Sequence, residues 1–278
     1  MAGERKDVQE LSSEHTVTLR AYLDPIAARF ERSDFIEDDP ISIPHGFDDP
    51  DDRMVIGLFA SLLAWGRRDI MLAKLGDLCE RFAYQPARFI HDYRPSRDRK
   101  RLQGFKHRTF NDQDLHGLVS SIQSVTTSQS LEAVFQSGMT SHEPVRDGIE
   151  HFSSTLLNNV PGRPARIRKH VARPSTGSAC KRINMYLRWM IRSGPVDMGL
   201  WTCLDPSDLM LPLDVHSGTQ ARAVGMLTHK SNDWRAAEEL TAACRSLDPD
   251  DPSYPGQRAI YCDSSCHGHR AMSPLQGT

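Results

Sequence analysis

The feature that most restricts the fold of this chain is the spacing of its apolar residues. Between Ile70 and Ala83, Gln113 and Val125, Leu131 and Phe135, Val145 and Leu157, Cys180 and Arg192, and Trp234 and Leu247, apolar side chains return at three- and four-residue steps, the period that lines one face of a helix. Val55, Ile56, Leu58, Phe59, Leu62 and Leu63 make a broader stripe, so MVIGLFASLLAW predicts a buried helix that stops near Trp65-Gly66. From Asp7 to Arg32 the residues Val8, Leu11, Val17, Leu19, Leu23, Ile26 and Phe30 predict one or two further helices, stopped by Asp39-Pro40. The segment ISIPHGFDDPDD then reads as a loop that finishes in an acidic helix start. Few segments alternate with the period of a strand, and Pro and Gly fall between the helical patterns rather than in hairpin turns. The expected fold class is all-α.

With 278 residues, 38% of them apolar, the chain can close a sizeable core. No apolar run nears the ~20 residues that a membrane-spanning helix needs, and the start MAGERKDVQELSSEH is charged where a signal peptide turns apolar. A cytoplasmic protein with no membrane partner is therefore expected. Cys79, Cys180, Cys203 and Cys244 are widely scattered and only Cys262 and Cys266 lie close together, so reduced thiols are expected, not disulfides. From about Asp248 the chain is rich in Pro and Gly and has no sustained apolar period, the composition of a disordered tail.

Net charge is only −2, but its distribution is uneven. Acids gather early, in Glu37, Asp38, Asp39, Asp48, Asp49, Asp51 and Asp52. Between His151 and Val196 there is no Asp or Glu, whereas Arg163, Arg166, Arg168, Lys169, Arg173, Lys181, Arg182, Arg188 and Arg192 all fall there. A one-signed stretch of that length suits phosphates; the plainer reading is a solvated basic helix face. A second basic stretch, Arg94 to Arg108, is interrupted only by Asp98.

Within the acid-free stretch, ARPSTGSA is a turn that leads into a helix beginning near Lys181. A glycine turn at a helix start offers free N–H groups to a phosphate, although many such turns contain Ser, Gly and Pro for conformational reasons alone. Lys181, crowded by Arg182 and Arg188 and near Ile183, Met185, Leu187 and Met190, is a candidate amine nucleophile; otherwise it is a surface phosphate contact. Downstream, LPLDVHSG places Asp214 at the start of a helix, where a carboxylate can cap N–H groups. A carboxylate held in that way is also what a cationic sugar transition state requires.

Those two blocks resemble the helix–hairpin–helix motif and following aspartate loop of the endonuclease III type of DNA glycosylase. The resemblance rests on Gly177, Lys181 and Asn184, then Leu213-Asp214-Val215-His216, Arg222 and Gly225. In addition, LFASLLAWGRRDI resembles the early helix of that superfamily whose end enters the DNA, with Trp65, Gly66, Arg67 and Arg68 in that place. The hairpin departs from the usual motif in lacking its second glycine. At finer grain, Phe35 to Pro252 is similar to an uncharacterised bacterial family recognisable by FIEDDPISIPH, LAWG, FKHRTFN, SACKRINMYLRWM, GLW and LPLDVHSG, whose lysine-to-aspartate spacing is nearer that of archaeal 8-oxoguanine glycosylase. Against that family, residues 253–278 form an irregular tail unlike its usual end, the pattern that a frameshifted or truncated gene end leaves.

The resemblance implies a two-lobed, all-α glycosylase-like domain over residues 1–252. It implies a DNA N-glycosylase with lyase activity, acting on double-stranded DNA with a damaged base and nucleoid-associated when bound. Lys181 and Asp214 would be catalytic, and Trp65, Arg67, Arg68, Arg166, Lys169, Gly177, Arg182 and His216 would bind DNA, with Trp65 or Arg67 filling the gap in the duplex. Trp189 and Trp201 are candidates to stack on the extruded base, or core residues. Relatives often hold an iron–sulfur cluster through four carboxy-terminal cysteines, which Cys262 and Cys266 alone cannot do. Cys262, Cys266, His267 and His269 have zinc-ligand chemistry but cramped spacing, so neither metal nor cofactor is expected, and no obligate protein partner is inferred. A non-catalytic DNA-binding module of the same fold and a helical protein-interaction scaffold remain the alternatives.

Overall fold

A computed structural model describes residues 12–162 and 165–254. Twelve α-helices and a single two-stranded ladder make up the regular structure among them, together with short 3-10 turns. The described chain is thus helical apart from its loops and four strand residues.

The first helix, α1 (Ser13–Phe30), ends nine residues before the Asp39-Pro40 stop that the sequence suggests, and the part of that pattern around Val8 and Leu11 lies outside the described residues. Where ISIPHGF reads as a loop, one turn of helix forms, α2 (Ser42–His45), held by a 2.7 Å hydrogen bond from His45 Nε2 to the Val196 carbonyl. The acidic start does open α3 (Pro50–Leu63): Asp49 accepts from the N–H groups of Asp51 and Asp52, and Pro50 needs no acceptor at the first position. Nine consecutive residues of α3, Val55 to Leu63, are buried, so this helix is covered on every side.

Around it stand α4 (Arg68–Arg81), α5 (Pro86–His91), α6 (Pro95–Leu102), α7 (Asp112–Thr126), α8 (Leu131–Ser137) and α9 (Pro144–Asn158). The short α5 and α6 each begin on a proline and bury few apolar side chains, chiefly Phe89, Ile90 and Leu102, too few to set up a visible period. Between α6 and α7 a two-residue ladder pairs β1 (Lys106–His107) with β2 (Phe110–Asn111). Its turn puts Arg108 at φ 53°, a left-handed conformation unusual for a residue with a side chain. Asn111 then caps α7 in a reciprocal bond with Asp114.

The last three helices are α10 (Lys181–Ile191), α11 (Val215–Ala223) and α12 (Trp234–Leu247). α10 lies against α3 at Gly57, where a side chain would come within 3.2 Å of Met190, and Tyr186 donates its hydroxyl to the Met54 carbonyl at 3.0 Å. α12 carries α1 on its outside: Arg20 donates to the Leu247 carbonyl and His15 meets the Val224 carbonyl. Arg192, just after α10, joins the same region by bonding Glu31, Asp197 and Asp251.

Candidate functional site

The turn before α10 is built from residues that avoid a regular helix. Pro174 opens one turn of 3-10 helix, Gly177 takes φ 79°, and Cys180 takes φ 49° immediately before Lys181. Several N–H groups of this turn are already engaged. Ser175 donates through both its N–H and its hydroxyl to Glu150, Gly177 N–H goes to the Pro174 carbonyl, and Cys180 N–H goes to the Ser178 hydroxyl. Glu150 thus puts a carboxylate on the turn, at Ser175, where the sequence alone suggests a cradle for phosphate. The first turn of α10 differs, since Cys180 supplies no side-chain cap to it.

Asp214 is fixed by the residues that follow it. As the N-cap of α11 its Oδ1 accepts from Ser217 N–H at 3.0 Å, while Ser217 Oγ accepts from Asp214 N–H at 2.9 Å. Asn232 donates to the Asp214 carbonyl at 3.0 Å and runs so close to Gly218 that a side chain there would lie 2.5 Å from its Oδ1. Arg222 holds Asn232 in turn, at 2.8 Å, and bonds the His229 and Ser231 carbonyls. The block Asp214-Val215-His216-Ser217-Gly218 therefore carries its own logic: a cap, its reciprocal partner, and a gap for the residue that steadies the cap. Ser217 occupies Oδ1, and Oδ2 meets Lys181 Nζ at 3.3 Å, with both side chains about a quarter exposed (28% and 26%).

Arg182 does not reach toward solvent. Its guanidinium spans two carbonyls, Leu62 at the end of α3 (2.8 Å) and Lys169 (2.9 Å), and forms no ion pair among the described residues. Burial lowers its pKa from the ordinary arginine value.

Other cations of the acid-free stretch meet acids that lie outside it along the chain. Arg166 pairs at 2.9 Å with Asp114, whose carboxylate is fully buried. Arg173 stands 3.7 Å from Glu150, Arg188 bonds buried Asp197 at 2.8 Å, and Arg192 bonds Glu31, Asp197 and Asp251. Arg168 and Lys169 are exposed, and Arg163 lies outside the described residues. The charge that looks continuous along the chain is thus largely balanced in space, and Arg188 does not crowd Lys181 with an uncompensated charge.

At the end of α3, Arg67 and Arg68 are exposed, Arg67 bonding Asp69, and His216 is exposed on the first turn of α11. Trp65 is half-buried instead: its ring meets the edge of His107 at 5.5 Å, lies 6.3 Å from His170 and carries the Arg108 guanidinium 5.0 Å above it. Of the two residues suggested to enter a duplex, Arg67 is the one standing clear. Trp189 and Trp201 are core residues, 3% and 2% exposed; Trp201 packs among Phe135, Phe152 and Tyr186, so neither has a face for a base. Sequence reasoning missed Asn232, Ser217 and the Asp114–His170 pair, and only Ser217, three residues after a capping Asp, carries a local signal.

Among the described residues no group of three or more His, Cys, Asp or Glu side chains is placed to hold a metal ion, and no helix is long and apolar enough to cross a membrane. Cys262, Cys266, His267 and His269 lie outside the described residues. A family model described as "Protein of unknown function (DUF2400)" matches residues 39–254, a span that contains Lys181, Asp214 and every candidate DNA contact named above. Neither the curated proteins nor the solved structures include a match to this chain.

Proposed function

The chain belongs to that family, and from its own site we propose that it is a duplex-DNA-binding glycosylase with lyase activity, two-lobed like the helix–hairpin–helix enzymes, acting through Lys181 and Asp214. The observation that carries the reading is the 3.3 Å approach of Lys181 Nζ to the one Asp214 oxygen that Ser217 leaves available, next to a helix start with no side-chain cap. The start of α10, to which Cys180 gives no side-chain cap, suits an anionic phosphate, and Arg67, Arg68, Arg168, Lys169 and His216 are exposed for further backbone contacts.

In the proposed reaction Asp214 takes a proton from the Lys181 ammonium, and the freed amine attacks C1′ of the damaged nucleotide. The bond from C1′ to the base breaks, the base leaves with its electron pair and takes up the proton that Asp214 removed from Lys181, and the Asp214 carboxylate so restored offsets positive charge on the sugar. Ring opening moves a proton to O4′ and leaves a protonated imine between Lys181 and C1′. Loss of a C2′ proton then expels the 3′-phosphate, and water releases the enzyme.

Borohydride reduces such an imine, so it should fix the protein onto an oligonucleotide that carries the right lesion, and a panel of oxidised, deaminated and alkylated bases will find it. Lys181→Gln should abolish the adduct while DNA affinity stays within about threefold, because one of many cations is lost. Asp214→Asn keeps the shape and the cap yet should slow base release by about 100-fold or more, with little loss of stability. The 3.3 Å ion pair also fits a tether between α10 and α11 in a non-catalytic DNA-binding protein. No adduct on any lesion, together with weakened binding by Lys181→Gln, would establish that second reading.

A further inference from the structure

Half of the buried polar side-chain atoms that find no hydrogen-bond partner among the described residues lie in one neighbourhood, at the junction of the α3 end, the β1–β2 ladder, the start of α7 and residues 165–170. They are Trp65 Nε1, His107 Nδ1, Asp114 Oδ1, Arg166 Nε and His170 Nε2. Direct contacts bind the group together. Trp65 touches both imidazoles, Arg166 bonds Asp114 at 2.9 Å, and His170 Nε2 stands 3.6 Å from the same carboxylate. His107, His170 and Asp114 are each no more than 2% exposed, so leaving their polar atoms unmet is costly.

The chemistry of the orphaned atoms restricts what can satisfy them. Trp65 Nε1 and Arg166 Nε can only donate. His107 gives its Nε2 proton to the Trp65 carbonyl at 2.9 Å, and burial keeps the ring below its ordinary pKa, so neutral His107 presents Nδ1 as an acceptor; Asp114 Oδ1, on the carboxylate that Arg166 bonds, accepts as well. A simple anion would meet the Asp114 carboxylate and a simple cation the Arg166 guanidinium. A neutral planar heterocycle, with donors and acceptors along one edge, suits both sides. A stacking surface adjoins them: the Arg108 guanidinium, itself planar, lies 5.0 Å over the Trp65 ring from an exposed residue held at φ 53°. Gly66, at φ 101°, leaves the space beneath that arm, since a side chain there would come within 3.0 Å of Arg108.

We infer that Trp65, His107, Arg108, Asp114, Arg166 and His170 form a receptor for one unstacked nucleobase, which replaces the Arg108 guanidinium on the Trp65 ring and pairs its edge with the orphaned atoms of His107, Asp114 and Arg166. Taking the heterocycle to be a nucleobase rests on the DNA reading above. Arg182 joins the receptor to the reactive pair: it follows Lys181 in the chain and bonds Leu62 and Lys169, each close in sequence to a receptor residue. Ordered water is the competing occupant.

Tryptophan fluorescence tests the inference without any reaction. Of the four tryptophans, Trp189, Trp201 and Trp234 are at most 5% exposed, so quenching by a stacked base reports Trp65. The full-length protein is titrated with a duplex carrying one bulged adenosine, with the same duplex carrying a bulged abasic analogue, and with free adenosine, while anisotropy follows binding. The bulged adenosine should quench emission and bind about tenfold more tightly than the abasic bulge, which should bind without quenching. Trp65→Phe should remove the quenching, and Arg108→Ala, which clears the ring, should widen the preference. If both duplexes bind equally and neither quenches, the receptor is refuted and the DNA reading survives. Quenching by free adenosine with no duplex binding keeps the receptor and removes the DNA reading. No quenching by any of the three leaves water as the occupant and overturns the inference.

Discussion

On the proposed function, the response of DNA binding to salt should be far smaller than the run of basic residues suggests, and the pairing of those residues sets its size. Between His151 and Val196, Arg166, Arg173, Arg188 and Arg192 face acids, Lys181 faces Asp214, and Arg182 is held by carbonyls, which leaves Arg168 and Lys169 exposed among the described residues. Each phosphate neutralised contributes a slope of about −0.9 in log K against log salt, so these two residues account for about −1.8, or roughly 12-fold in affinity between about 50 and 200 mM salt. Replacing both with alanine should flatten the measured slope by that amount. Arg188→Met should leave the slope unchanged and lower stability instead, because its loss strips Asp197 of a partner inside the protein. Anisotropy of a labelled duplex across a salt series, with thermal melts of each variant, separates the two effects. A slope that ignores the Arg168/Lys169 pair but falls with Arg188→Met would show that the buried Arg188–Asp197 pairing does not hold in solution.

Two further outcomes follow from the buried charges. Asp197→Ala removes the buried acid shared by Arg188 and Arg192 and should cost about 3–5 kcal/mol, read as a lower urea midpoint with an unchanged slope; a loss below about 1 kcal/mol would contradict the pairing. Burial, helped by the nearby cations Arg182, Lys169 and Arg166, outweighs the attraction of Asp114 and pushes His170 down to about 4 from an ordinary value of 6.5. Between those two pH values the unfolded chain binds the proton that the folded one refuses. Stability from this residue is therefore complete above pH 6.5 and falls away as pH drops toward 4, by about 3 kcal/mol at most, and His170→Gln should reduce that pH dependence in denaturant melts.

The long helices were legible because each buries one face, and burial on a helix leaves a period in the sequence: α4, α7, α9, α10 and α12 all coincide with apolar patterns to within a few residues. α5 and α6 were not, since proline starts and two or three buried side chains leave too little repetition, and strands of two residues leave none at all. In the site, Asp214 is readable as a cap because capping is local. The partners of Arg166 and Arg192 lie as far away as Asp114, Glu31 and Asp251, and that of Arg188 is Asp197, just past the stretch, so a stretch empty of acids along the chain is well supplied with them in space. Trp65 shows the same gap, its environment being made by His107, Arg108 and His170 from segments the sequence does not join.

The seating of α1 has a consequence for the order in which the protein is assembled. Every anchor described for that helix comes from far along the chain: Val224 for His15, Leu247 for Arg20, and Arg192, itself braced by Asp251, for Glu31. During synthesis α1 leaves the ribosome before the other described helices and must wait for α12, about two hundred residues later, to complete the surface that receives it. This early helix should be among the last to dock, with its apolar stripe of Leu19, Leu23 and Ala27 open to chaperones, or to another nascent copy, throughout that interval.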